Sequence, residues 1–183
     1  MPDAYQQQLR ERLERLPYAD APRPWKLAGS SGIGGLTKVG FANGTDDLLV
    51  LSHQGRGLFD CLTGERIARD YEEMFANNDE LGMTAPGIGK HANTIFRLAG
   101  LQGGGLPLLT RDGWRIHVVQ LPWPIHVVFL TSEYTGLTDD TGHITKLCND
   151  EPCSFRAAGF SPTGRSFVVA TSGELTIYTR HVA

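Results

Sequence analysis

Three cysteines, six histidines and twenty acidic residues define the chemistry open to this chain. Cys148 and Cys153 lie close together, with His143 just before them, and a remote ligand such as His53 would have to complete a zinc site. Zinc takes cysteines two to four residues apart, bent round the ion by a tight knuckle. Here Glu151-Pro152 interrupts the gap and the ligand count falls short. Small buried or free thiols are the simpler reading, and three cysteines do not make a disulfide framework. No metal or cofactor is expected. His117 and His126 flank one hairpin and could be cross-strand neighbours able to shuttle a proton. With no carboxylate or nucleophile placed beside them, half-exposed strand histidines are the expectation.

Glycine clusters are the next candidates, because backbone N–H groups can cradle phosphate. Gly29-Ser30-Ser31-Gly32-Ile33-Gly34-Gly35 has no Lys-Ser or Lys-Thr after it. It precedes an expected strand, so no helix N-terminus stands behind it. Gly87-Ile88-Gly89-Lys90 is followed by His91 where a hydroxyl would meet magnesium, and Thr84 occupies the place of the first P-loop glycine. Turn glycine is the reading for both. Gly103-Gly104-Gly105 could present an oxyanion hole, but the chain has no Gly-x-Ser-x-Gly elbow.

The acidic residues are the best remaining clue. Asp70, Glu72, Glu73, Asp79 and Glu80 fall in one short segment, and Asp139, Asp140, Asp150 and Glu151 in another. The first segment is the candidate protein-binding face, meeting a basic partner through complementary charge. Tyr71, Phe75, Trp123 and Tyr134 are candidate anchors. Solvated surface is the plain alternative.

A formal net charge of −3 argues against a general nucleic-acid or anionic-membrane binder, since both reward a basic face. No apolar run approaches the roughly 20 residues that span a bilayer, and the start Met1-Pro2-Asp3 lacks a signal pattern, so a cytoplasmic protein is expected. At 183 residues the chain suits a single domain, with a helix over 1–17 and a β-rich body over 25–183.

The elements that must position any site follow from periodicity. Asp3 and Gln6 have capping-box spacing, Tyr5, Leu9, Leu13 and Leu16 share one helical face, and Pro17 stops the helix. Beyond Ala21-Pro22-Arg23-Pro24 the period changes to two. Strands are expected at 36–42, 48–53, 57–61, 94–98, 114–121, 125–130 and 143–147. A short helix is expected from Asp70 to about Asn77, and a loop over 82–90.

Two stretches repeat one another. Val39-Gly40-Phe41, a turn, Leu48-Leu49-Val50-Leu51, Gly55 and Leu58-Phe59 match Ala158-Gly159-Phe160, a turn, Phe167-Val168-Val169-Ala170, Gly173 and Leu175-Thr176-Ile177-Tyr178. This unit, over about residues 36–67 and 155–180, resembles the blades of WD40-type β-propellers. Asp60 stands at the family's Trp position, and Phe160-Ser161-Pro162-Thr163-Gly164 is similar to the turn between a blade's first two strands. A closed ring at about 40 residues per blade would consume nearly the whole chain. The expected fold is therefore mainly β, with antiparallel meander sheets in a propeller-like or sandwich arrangement, an N-terminal amphipathic helix and one short internal helix. The resemblance implies a scaffold that often binds proteins.

The functional expectation is a non-enzymatic protein-interaction module, of the inhibitor or immunity type, that occludes a basic toxin or enzyme. The alternative is a small-molecule or glycan-binding protein, or a hydrolase, with its site at the glycine-rich loops. Asp112-Gly113-Trp114 faintly resembles the Asp-box turn of sialidase-like propellers, but its spacing departs from that motif and favours a structural role.

Overall fold

Leu48-Leu49-Val50-Leu51, Val127-Val128-Phe129-Leu130 and Phe167-Val168-Val169-Ala170 are apolar at every position, so each run must be covered on both faces. In the computed structural model every one of these side chains is buried. The structure describes residues 4–71, 82–121, 124–139, 143–147 and 153–181.

Helix α1 (Ala4–Arg15) leads to β1 (Tyr18–Ala19), β2 (Lys26–Gly32), β3 (Leu36–Phe41), β4 (Asp47–Ser52), β5 (Gly55–Asp60) and β6 (Glu65–Asp70). There follow β7 (Thr84–Pro86), a 3-10 turn at Gly89–His91, β8 (Ile95–Arg97) and β9 (Ala99–Gly100). The chain continues through β10 (Arg115–Gln120), β11 (His126–Thr131), β12 (Ile144–Leu147), β13 (Phe155–Phe160), β14 (Ser166–Thr171) and β15 (Glu174–Thr179). These strands build a helix-side sheet β1-β12-β11-β10, a central sheet β13-β14-β15-β2, an outer sheet β6-β5-β4-β3-β9 and the small β7-β8 pair.

Alternation along the strands explains how the sheets stack. Val168 and Ala170 face Val39, Val50 and Phe59 of the outer sheet, while Phe167 and Val169 face Ile116, Val128 and Leu130 of the helix-side sheet. Leu49, Leu51 and Leu58 on the far face of the outer sheet pack on Ala85, Ile88 and Phe96. Val127 and Phe129 on the far face of the helix-side sheet meet Leu13 of α1. The layers therefore run helix, sheet, sheet, sheet, strand pair, a sandwich-like arrangement in which period two sends successive residues to different cores. Among the described residues no sheet closes into a barrel.

The two repeat units fold alike. Val39 pairs Val50 and Phe41 pairs Leu48, as Ala158 pairs Val169 and Phe160 pairs Phe167. Ala42 N–H donates to Asp47 O across one turn, and Ser161 N–H to Ser166 O across the other, both at 2.9 Å. Gly40 and Gly159 are also equivalent, each where another segment crosses closely. A Cβ on Gly40 would lie 2.2 Å from Arg97 O, and one on Gly159 would lie 2.3 Å from Leu106 Cβ. Only a residue without a side chain admits such an approach.

Several expectations need correction. Residues Gly29 to Gly32 are not turn but part of β2, which pairs antiparallel with β15. Glycine and serine have low strand preference, and the fixed edge of β15 overrides it. Asp70 does not open a helix. It closes β6, paired with Arg56, Tyr71 after it is not helical, and residues 72–77 of the expected helix lie outside the described residues. The expected loop over 82–90 contains β7 and the start of the 3-10 turn. Tyr5, assigned to the apolar stripe of α1, is 57% exposed, whereas Leu13 is buried and Leu9 and Leu16 partly so.

Candidate functional site

The core between the central and outer sheets opens at one end, and glycines are the reason. On the outer sheet Val50, Gly57 and Arg69 form one cross-strand row, and Leu48, Phe59 and Arg66 the next. Ser52 lies opposite Gly55. Gly57 has no side chain on this face, so the outer sheet is lowered where its core would continue. Gly32 and Ile33, at the end of β2, form the facing wall. The result is a small open cleft with Val50 and Phe59 at its inner end and Arg66 and Arg69 on its rim.

Local chemistry keeps this shape. Gly55 has φ +105°, and a Cβ there would lie 2.3 Å from Asp70 O, so glycine is required. Ser52 Oγ donates to Gly55 O and accepts from Gln54 N–H, closing the β4–β5 turn. Arg56 points to the other face of β5, donates to both carboxylate oxygens of Asp70 at 3.1 and 2.6 Å, and donates to Pro86 O at 2.8 Å. Arg69 stacks over the Tyr71 ring at 4.4 Å. Among the described residues neither Arg66 nor Arg69 makes an ion pair. Asp60 and Glu65 occupy the neighbouring row, and alternation turns both away from the cleft.

Of the expected acidic face, Asp70 is therefore already neutralised by Arg56, whose side chain is only 10% exposed. Glu72, Glu73, Asp79 and Glu80 lie outside the described residues, as do Phe75, Trp123, Asp140, Asp150, Glu151 and Cys148. His117 and His126 are not neighbours. His117 pairs Phe129 and accompanies Thr131 Oγ1 at 3.2 Å, while His126 pairs Gln120 and stacks on Phe155. The odd offset places them on opposite faces of β10 and β11. Burial, aided by the Arg115 charge, pushes the His117 pKa down, against a bond to the Thr135 backbone. Among the described residues no group of three or more His, Cys, Asp or Glu side chains could hold a metal ion.

Asp112-Gly113-Trp114 is structural. Arg180, 6% exposed, donates to both Asp112 oxygens and to Gly164 O, and lies over the Trp25 ring at 4.5 Å. Arg180 holds the Asp112 carboxyl down to about 2. Trp25 in turn meets Trp114, Phe160 and Phe167.

Two further polar centres escaped the sequence reading. Asp46 is buried, and its carboxylate accepts from Ser161 Oγ, Thr163 Oγ1 and Ser166 Oγ, each at 2.7 Å, and from Arg165 at 2.8 Å. Burial alone would raise its pKa, but these bonds, led by Ser161 and Ser166, outweigh it and hold the carboxyl below its ordinary value. Asp47 meets His91 Nε2 at 2.8 Å and Lys90 Nζ at 2.9 Å, tethering the 3-10 turn to the start of β4. The one available signal was position: Asp46 and Asp47 sit in the first repeat's turn, where the second has Arg165 and Ser166.

No family model, curated protein or solved structure matches the chain. No helix among the described residues is long and apolar enough to cross a membrane.

Proposed function

We propose that this protein is a protein-interaction module whose contact face surrounds the adjoining edges of β2 and β6. The observation that carries the reading is a set of exposed apolar side chains at those edges. Leu27 is 59% exposed, Ile67 43% and Tyr71 73%, with Leu62 at 36%. The backbones of Gly29 and Gly64 come together between them, with the Gly29 Cβ position 3.1 Å from Gly64 O. Among the described residues no further strand pairs with either edge, and an unpaired edge beside apolar side chains suits a partner's strand or loop.

A rigid layered body of this size is suited to occluding a partner's working surface, the use expected of an inhibitor. A basic partner would have to find its acids away from Asp70, which Arg56 neutralises. The Ser, His and carboxylate groups on view support binding over catalysis, because Asp46 and Asp47 are occupied as structural acceptors.

The test is affinity capture with the wild-type chain, Leu27→Asp and Ile67→Asp, followed by titration of the recovered partner against all three. A partner held by the wild type and weakened at least tenfold by both substitutions is expected. Failure of the wild type to hold any partner, or equal affinity in all three chains, overturns the reading.

A further inference from the structure

From the cleft at the mouth of the central–outer sheet interface we infer a binding subsite for one anionic group, a phosphate or a carboxylate, held by Arg66 and Arg69. The chain as a whole carries a net charge of −3, yet this cleft concentrates guanidinium groups. Arg66 and Arg69 lie on the same face of β6, flanking the bulge between Leu58 and Phe59, so both reach the same rim. The cation on the other face, Arg56, occupies the Asp70 carboxylate in a two-bond pair. Removing Asp70 in this way leaves the rim arginines without an internal counter-charge among the described residues.

The shape fits one charged group rather than a long chain. Gly57 lowers the floor, Val50 and Phe59 close the inner end, and Gly32 limits the opposite wall. Polar Ser52 and Gln54 line the cleft beside Val50 and Phe59, and a guanidinium binds phosphate or carboxylate through two parallel bonds. Tyr71 stacks on Arg69 at 4.4 Å and restricts its rotamers, lowering the entropy lost when an anion binds.

A small anion can be titrated with no partner protein present, so the subsite is testable apart from the interaction face. Inorganic phosphate and, separately, citrate are added at low ionic strength to the isotopically labelled full chain. The amide signals of Gly32, Gly55 and Gly57 are followed. A saturable shift at these amides is expected, with affinity weakened at least tenfold in the double variant Arg66→Gln, Arg69→Gln. Gly57→Val should also abolish the shift by filling the floor, since a Cβ there already approaches Phe59 at 3.1 Å. Unchanged unfolding midpoints in the arginine variant separate lost binding from lost fold. Stronger saturation by phosphate assigns a phosphate-bearing ligand, and stronger saturation by citrate assigns a carboxylate. No saturation with either anion, or the same affinity in the double variant, overturns the inference.

Discussion

Asp46→Ala removes one carboxylate but strands donors from another sheet. In the folded chain Ser161 and Ser166 are buried at 2% and 0% exposure, and both hydroxyls point at Asp46. Thr163 Oγ1 reaches both oxygens, at 2.7 and 2.9 Å, and Arg165 supplies a cation. Arg165 is 45% exposed, so its pairing in itself is worth at most about 1 kcal/mol. Most of the loss comes from the buried hydroxyls, each costing about 1–3 kcal/mol when left unsatisfied, although Ser161 and Thr163 retain each other at 3.1 Å. A total of roughly 3–5 kcal/mol is expected, in the range for breaking a buried charged pair. For a chain of this length that lowers the melting temperature by about 6–20 °C. Urea unfolding followed by circular dichroism at pH 7 measures it, with Ser166→Ala alone and in combination completing a double-mutant cycle. The sign with pH also follows. Because the folded carboxyl lies below its ordinary value, its stabilisation is present above the unfolded pKa of about 3.9 and is lost as pH falls through the folded value. The gap between wild type and Asp46→Ala should therefore narrow below about pH 4. A loss under about 1 kcal/mol at pH 7, or a gap that widens in acid, would refute the account.

Gly40→Ala and Gly159→Ala should each destabilise by about 1–3 kcal/mol through overpacking. Gly32→Ala, with nothing within 4 Å of its Cβ position, should stay within about 0.5 kcal/mol of wild type in the same denaturant assay. Glu133 and Tyr134 have φ of 55° and 60° in the turn where Thr135 N–H donates to Ser132 O. Such turns favour Asn-Gly, so Glu133→Asn should raise stability by about 0.5–1 kcal/mol, read as a higher melting temperature. Burial, with the charges of Asp46, Asp60 and Asp47, pushes the Cys61 thiol well above its ordinary pKa. Peptide mapping after iodoacetamide treatment should find Cys61 unmodified in the native protein and alkylated in denaturant, and rapid native labelling would contradict its burial.

The interior strands were legible because the middle four positions of each are apolar, a pattern that survives any choice of neighbours. β2 was not: Lys26-Leu27-Ala28-Gly29-Ser30-Ser31-Gly32 has no alternation, and it becomes a strand only because β15 offers an edge from the far end of the chain. β6 was missed for a related reason, since Glu65-Arg66-Ile67-Ala68-Arg69-Asp70 is polar and mostly exposed along an outer edge. The cleft is built from these two strands and from glycines whose contribution is an absent side chain. Residue type alone therefore could not place it. The Arg56–Asp70 pair shows the same limit, because Asp70 reads as surface acid until the β5–β6 register puts it beside a guanidinium.

Asp46 gives a physical reason for two repeat units that share a shape to differ in their polar turn residues. Asp46 and Arg165 occupy equivalent turn positions 119 residues apart, and they bond to each other. Identical residues there would have set like charges or unpaired hydroxyls side by side. The apolar contacts between the two meanders, such as Val50 and Phe59 with Val168 and Ile177, are non-directional and tolerate sliding. A carboxylate receiving three hydroxyls and a guanidinium is directional and tolerates very little. The shared core thus supplies the attraction between the central and outer sheets, and the Asp46 turn fixes their relative position. That position in turn sets the gap between Gly32 and Gly57, on which the width of the cleft depends.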